Sequence, residues 1–170
     1  SLLGRAPAVD AAMLSRATRE IGAAPIAALI QAALDTKTMA IAGKAAGEQA
    51  VAALVSCLPP GCRTKFSFST GLRFSPRRPF RIVALGTDMA EQRRARRVSE
   101  LTLVDLSADL ASEFPPTGGW PRAILRILET GRTSLLNRHF LQERSDPAMG
   151  DLNALGLELL AELDGLAEGH

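Results

Sequence analysis

Residues 80–106 carry, in one short stretch, the period of a strand, the cap of a helix and the period of a strand again. Phe80-Arg81-Ile82-Val83-Ala84-Leu85 is rich in strand formers and closes at Gly86-Thr87. Asp88 and Glu91 then make a D-x-x-E capping box, whose side chains satisfy the free backbone N–H groups of a helix start. The spacing predicts a helix to about Ser99, and Leu101-Thr102-Leu103-Val104-Asp105-Leu106 reads as the next strand. Two strands joined through a helix run parallel with a right-handed crossover. A chain holding such a unit is steered toward an α/β architecture.

Upstream, Lys65-Phe66-Ser67-Phe68-Ser69-Thr70 alternates apolar and polar, the period of a strand with one buried face. Met39-Ala40-Ile41-Ala42 fits a short buried strand or another helical start, and periodicity does not decide between them. If 38–42 is a strand, residues 38–70 form a second strand–helix–strand unit. Helices are expected over 8–21, with Gly22 as its stop, over 25–34, opened by Pro25, and over 48–58, ended by Pro59-Pro60-Gly61. Further helices are expected over 121–130, 133–144 and 151–168, the last with Leu152, Leu155, Leu159, Leu163 and Leu166 as an apolar stripe. The expectation is one α/β domain over residues 1–170: a small mixed or mostly parallel sheet of three to four strands flanked by helices, with a helix-rich C-terminal part. α+β is the fallback.

Charge is divided along the chain. The 170 residues hold seventeen arginines and three lysines against 18 acidic groups. Residues 63–97 carry ten basic and two acidic groups, whereas 98–170 carry five basic and twelve acidic. A uniformly basic nucleic-acid-binding domain is thereby excluded, but a basic patch is not. Arg73, Arg77, Arg78 and Arg81 flank Phe74 and Phe80, an arrangement able to hold phosphates while a ring stacks on a base. Pro76 and Pro79 stiffen the 71–79 loop, so Arg73, Arg77 and Arg78 would be presented at low conformational cost. Arg93, Arg94, Arg96 and Arg97 cover much of the next helix; the plainer expectation is a solvated face paired with the acidic C-terminal helix.

Motifs for chemistry are scarce. Gly43-Lys44 lacks both the glycine five positions earlier, where Thr38 stands, and the following Ser or Thr, replaced by Ala45, so it is no phosphate loop. Cys57 and Cys62 are too few for a disulfide framework, and no ligand spacing for a metal is present. No cofactor is expected. Asp105 stands near the carboxyl end of a predicted parallel strand, where α/β ligands bind. A small hydrolase using Asp105, His139 and Ser67 or Ser69 would lack the G-x-S-x-G turn. Thr117-Gly118-Gly119-Trp120-Pro121 opens a helix with free backbone donors where an anion could dock. Trp120, the sole Trp, is expected as a packing anchor or an interface residue.

The run Leu58-Pro59-Pro60-Gly61-Cys62-Arg63-Thr64-Lys65-Phe66-Ser67-Phe68-Ser69-Thr70, continued by Arg77-Arg78-Pro79-Phe80-Arg81, resembles the middle region of uncharacterised bacterial GTPase-associated adaptor proteins. There a helix ends at Leu-Pro and an Arg precedes a Ser-Phe-Ser/Thr-Thr strand. The resemblance covers residues 44–106 and implies an adaptor linking small GTPases to other effectors, with no catalytic residue.

The start, Ser1-Leu2-Leu3-Gly4-Arg5, has neither an initiating Met nor the pattern of a signal peptide, and no apolar run reaches the roughly 20 residues of a membrane span. The leading expectation is therefore a non-enzymatic protein-interaction module of a larger bacterial regulatory or signalling protein, cytoplasmic, with a protein partner and no membrane contact. The alternatives are a nucleic-acid-binding domain using residues 73–97, and the small hydrolase. The expected binding residues are Arg73, Arg77, Arg78, Arg81 and Trp120.

Overall fold

The computed structural model describes residues 9–43, 47–69, 80–86, 89–97, 101–142 and 149–168. Helix α1 (Ala11–Glu20) starts at Asp10, whose carboxylate accepts the Met13 N–H at 3.0 Å. It ends at Ile21-Gly22, where Gly22 takes a φ of 108° and leads into α2 (Ala23–Asp35). Pro25 stands in the first turn of α2, and Ile26 to Ala33 are all buried, so this helix is covered on every side. Strand β1 (Thr38–Ala42) follows, then α3 (Gly47–Ser56).

Pro59-Pro60 does more than stop α3. Pro60 opens a single helical turn, α4 (Pro60–Arg63), because a proline in the first turn forfeits only an N–H that would be unbonded anyway. Cys62 is buried in it. Strands β2 (Phe66–Ser69) and β3 (Phe80–Gly86), helix α5 (Met89–Arg96) and strand β4 (Leu101–Asp105) come next. The C-terminal part is helical throughout its regular elements: α6 (Leu110–Glu113), α7 (Gly119–Thr130), α8 (Thr133–Gln142), a 3-10 turn (Met149–Asp151) and α9 (Leu152–Glu168). The turn α6 is not predicted by periodicity; Asp109 caps it, accepting from the Ser112 hydroxyl at 2.7 Å.

The four strands form a parallel sheet in the order β2-β3-β1-β4. The expected parallel strands of 80–106 are both present, but β1 lies between them and pairs with each. β1 and β2 are likewise separated by β3. An interior strand buried on both faces reads as a continuous apolar run, which is why Met39 to Ala42 lacks alternation.

One face of the sheet presents Met39, Ile41, Phe66, Ile82 and Val104 to a large core shared with α1, α2, α3, α7, α8 and α9. The other presents Ala40, Ala42, Val83 and Leu85, with Leu101 and Leu103 half-buried beside them. The crossover through α3 shifts two strand positions one way, and that through α5 shifts two positions the other way. Right-handed crossovers then place the two helices on opposite faces. α3 buries Ala50, Val51, Ala53 and Leu54 in the large core. α5, which packs on β4, therefore covers the thin face.

The outer helical layer is set by α7 against α9. A Cβ on Gly156 would collide with the backbone of Gly119 and Trp120, and one on Gly119 with the Asn153 carbonyl, so the two helices cross backbone to backbone. Trp120 next to that crossing is fully buried. Its indole N–H donates to the Cys57 carbonyl at 2.9 Å, and its ring lies 6.1 Å from that of Phe140.

Candidate interaction site at the amino-terminal edge of the sheet

In a parallel sheet every strand begins at the same edge, so residues far apart in sequence meet there. Lys37 immediately precedes β1 and Lys65 immediately precedes β2. Arg81 is the second residue of β3, in register with Thr38 on one side and Ser67 on the other. The backbone ties the starts together: the Arg81 N–H donates to the Lys37 carbonyl at 2.8 Å, and the Phe80 N–H to the Lys65 carbonyl at 3.2 Å. The Phe66 and Phe80 rings stack at 5.3 Å across β2 and β3. Helix α5 runs from the carboxyl end of β3 back toward the start of β4, so its later residues approach this same edge. Arg93, Arg94 and Arg97, on and just after this helix, are exposed.

A cleft of about 380 Å³ opens beside Lys37, lined by Leu34, Asp35, Thr36 and Lys37, by Phe80, and by Met149, Gly150 and Asn153. It lies between the end of α2 and the start of α9. Lys37 and Asp35 are exposed, whereas Leu34, Phe80 and Met149 are half-buried and contribute carbon to the walls. The Asp35 carboxylate accepts from the Gln31 side-chain amide at 2.9 Å.

Two carboxylates of α9 find partners in the helical layer. Asp164 pairs with Arg126 of α7, and Glu162 with Arg138 of α8 at 3.3 Å. α9 packs on α7 and the 3-10 turn, on the thick side of the sheet. Among the described residues, Arg93, Arg94 and Arg97 make no ion pair with α9. Among the described residues the expected pairing with the acidic C-terminal helix is thus not made, and the sheet stands between the two helices.

Of the expected binding residues, Arg81 stands at this edge, half-buried. Arg73, Arg77 and Arg78 lie outside the described residues. Trp120 takes the packing role of the two expected for it, with its side chain enclosed in the core. Arg63, three residues before β2, is a structural cation: it donates to the Leu58 and Ser56 carbonyls at 2.9 and 3.0 Å and lies 5.7 Å from the Phe140 ring centroid. There it closes the carbonyl end of α3. Burial lowers its pKa from the usual value, with the neighbouring Cys57 opposing that shift.

Two other candidates resolve into structure. Three of the backbone donors at Thr117-Gly118-Gly119-Trp120 are taken by side chains: Gln31 Oε1 accepts from Thr117 and Gly118 at 3.1 and 2.9 Å, and Asn153 Oδ1 from Trp120 at 3.2 Å. The helix start is capped by two other helices, which fills the place an anion would take. At the carboxyl edge, Asp105 accepts the Ser107 N–H at 2.9 Å, a local turn. Ser67 sits on β2 and Asp105 on β4, the two outer strands, so three strand spacings, about 14 Å, separate them across the sheet. His139 lies on α8 in the helical layer. The Ser–His–Asp arrangement is not assembled.

Lys37 and Lys65 are the residues that a linear reading misses. Their signal is positional: each directly precedes a strand, and only the parallel order brings them together. Among the described residues no cluster of three or more His, Cys, Asp or Glu side chains could hold a metal ion, and no helix is long and apolar enough to cross a membrane. Comparison with known proteins finds no matching family model, curated protein or solved structure.

Proposed function

We propose that the chain is a non-enzymatic interaction module that docks an acidic protein partner on the amino-terminal edge of its sheet. The observation that carries this reading is the placement of Lys37, Lys65 and Arg81 at one edge of the sheet, with Arg93, Arg94 and Arg97 exposed on and just after α5. The acidic side chains Glu162 and Asp164 are neutralised elsewhere by Arg126 and Arg138. Exposed cations concentrated on one side steer an oppositely charged partner and fix its orientation. A place within a larger bacterial regulatory or signalling protein of the cytoplasm, of the GTPase-associated kind, accords with the resemblance of residues 44–106.

The test is titration of the protein with labelled acidic peptides and with short DNA and RNA across salt concentrations. Acidic peptides are expected to bind, more weakly as salt rises. Oligonucleotide binding with the steep salt slope of several phosphate contacts, in the absence of peptide binding, would overturn the reading in favour of a nucleic-acid-binding domain.

A further inference from the structure

Two hollows of the molecule differ in what their polar groups are left to do. One, about 480 Å³, is lined by Val9, Asp10, Ala11, Thr133, Ser134 and Asn137. Asn137 Oδ1 accepts the Val9 N–H there at 3.1 Å and Asp10 caps α1, so both serve the fold. The 380 Å³ cleft between α2 and α9 keeps polar groups available. Asp35 and Lys37 stand one residue apart on its wall with opposite charges, and neither makes an ion pair among the described residues. Thr36 between them turns its hydroxyl back, donating to the Ala32 carbonyl at 2.8 Å. Asp35 Oδ2 accepts from the Gln31 amide at 2.9 Å, which steadies the carboxylate and leaves Oδ1 without a donor among the described residues. Asn153 Oδ1 accepts the Trp120 N–H at 3.2 Å, which fixes the carboxamide and leaves its nitrogen two donors for another acceptor.

We infer that this cleft binds a free α-amino acid with an apolar side chain. The ligand carboxylate meets the Lys37 ammonium and the Asn153 amide donors, its ammonium meets Asp35 Oδ1, and its side chain lies on Leu34, Phe80 and Met149. Charge selects this class. One cation and one carboxylate on the wall match a ligand of no net charge, whereas a purely anionic or purely cationic occupant would face one like charge. Both ligand charges then enter charge-assisted hydrogen bonds, the stronger kind. Size agrees: small-molecule sites run from about 300 to 1,000 Å³, and 380 Å³ stands at the small end of that range. The lining agrees as well. Leu34, Phe80 and Met149 are half-buried and supply carbon, with Phe80 offering a ring face and the unbranched Met149 adapting to the side chain it meets. The inference goes beyond the docking of a protein partner and does not rest on it.

The experiment is a titration of the full chain followed by ligand-observed NMR. It compares L-leucine with N-acetyl-L-leucine, which lacks the ammonium, L-leucinamide, which lacks the carboxylate, and glycine, which lacks the side chain. L-Leucine is expected to bind, and each analogue to bind about tenfold more weakly or worse. Lys37→Met keeps the stem and removes the charge. It should weaken L-leucine by about tenfold and leave L-leucinamide unchanged, because that ligand has no carboxylate to lose a partner. Asp35→Asn keeps an acceptor for Gln31, and it should weaken L-leucine while leaving N-acetyl-L-leucine unchanged. Each comparison sets two ligands against one variant, so a change in folded fraction cancels. Absence of binding by both L-leucine and L-phenylalanine up to about 10 mM overturns the inference. So does equal binding of L-leucine and its blocked analogues, or equal weakening of L-leucine and L-leucinamide by Lys37→Met. Binding of acidic peptides is read in a separate titration and stands or falls on its own.

Discussion

The two faces of the sheet are built to different standards. On one, Met39, Ile41, Ile82 and Val104 lie under α2 and α3, with α7, α8 and α9 behind them, in a core of large side chains. On the other, four small or medium residues, Ala40, Ala42, Val83 and Leu85, form a separate cluster beneath the polar helix α5. The contrast assigns different tasks to the two sides. The thick side carries the apolar burial that holds the fold, and acidic residues on its outer helices are matched to arginines within the same layer. The thin side has little core and keeps Arg93, Arg94 and Arg97 exposed.

Side-chain deletion sharpens this difference first. Trp120→Ala removes the largest fully buried side chain and leaves the Cys57 carbonyl without its indole donor. A loss of about 4 kcal/mol is expected in urea denaturation. Leu85→Ala on the thin face should cost about 2 kcal/mol, the low end for a buried leucine, because few side chains surround it. Equal losses at the two positions would break the comparison.

A second prediction uses pH. Burial on the thick side pushes the Cys57 thiol up to about 12 from its ordinary 9.0, with the charge of Arg63 acting in the opposite direction. The unfolded chain releases this proton near 9.0 and the folded chain holds it to about 12. Between those values the folded state binds more protons, so stability is full below about 9 and falls as pH rises toward about 12. In Cys57→Ala the fall in denaturation midpoint across this window should be shallower than in the parent. An unchanged slope would mean that the thiol ionises as readily in the folded chain as in the unfolded one.

The elements of this fold are more legible in the sequence than their arrangement. The alternation of Phe66 to Ser69 and the strand formers of Phe80 to Leu85 place β2 and β3 from local pattern alone. Asp88 and Glu91 likewise announce a helix before α5 begins. Strand order is not a local property: β1 enters between β3 and β4 because of pairings made across tens of residues. The same distance hides the caps of α7, since Gln31 and Asn153 reach it from α2 and α9. α6 spans too few residues for a helical period to register. At the candidate site Arg81 stands out because it belongs to a basic run, whereas Lys37 and Lys65 are isolated cations whose meaning depends on the parallel edge.

Placement of charge, rather than its total, is the central claim, and paired charge reversals measure it most directly. Lys37→Glu with Lys65→Glu alters the amino-terminal edge, and Arg126→Glu with Arg138→Glu alters the outer helical layer by the same net charge. Both doubles concern side chains at least partly exposed, and the ion pairs broken in the second are worth only about 0–1 kcal/mol each. Binding of a labelled acidic peptide, compared at one salt concentration and corrected for folded fraction, should fall by about tenfold or more for the edge reversal. It should change by less than about threefold for the helical-layer reversal, where distant exposed charges are screened. Equal losses in the two doubles would contradict the account, because net charge and not the gathered edge would then govern recognition.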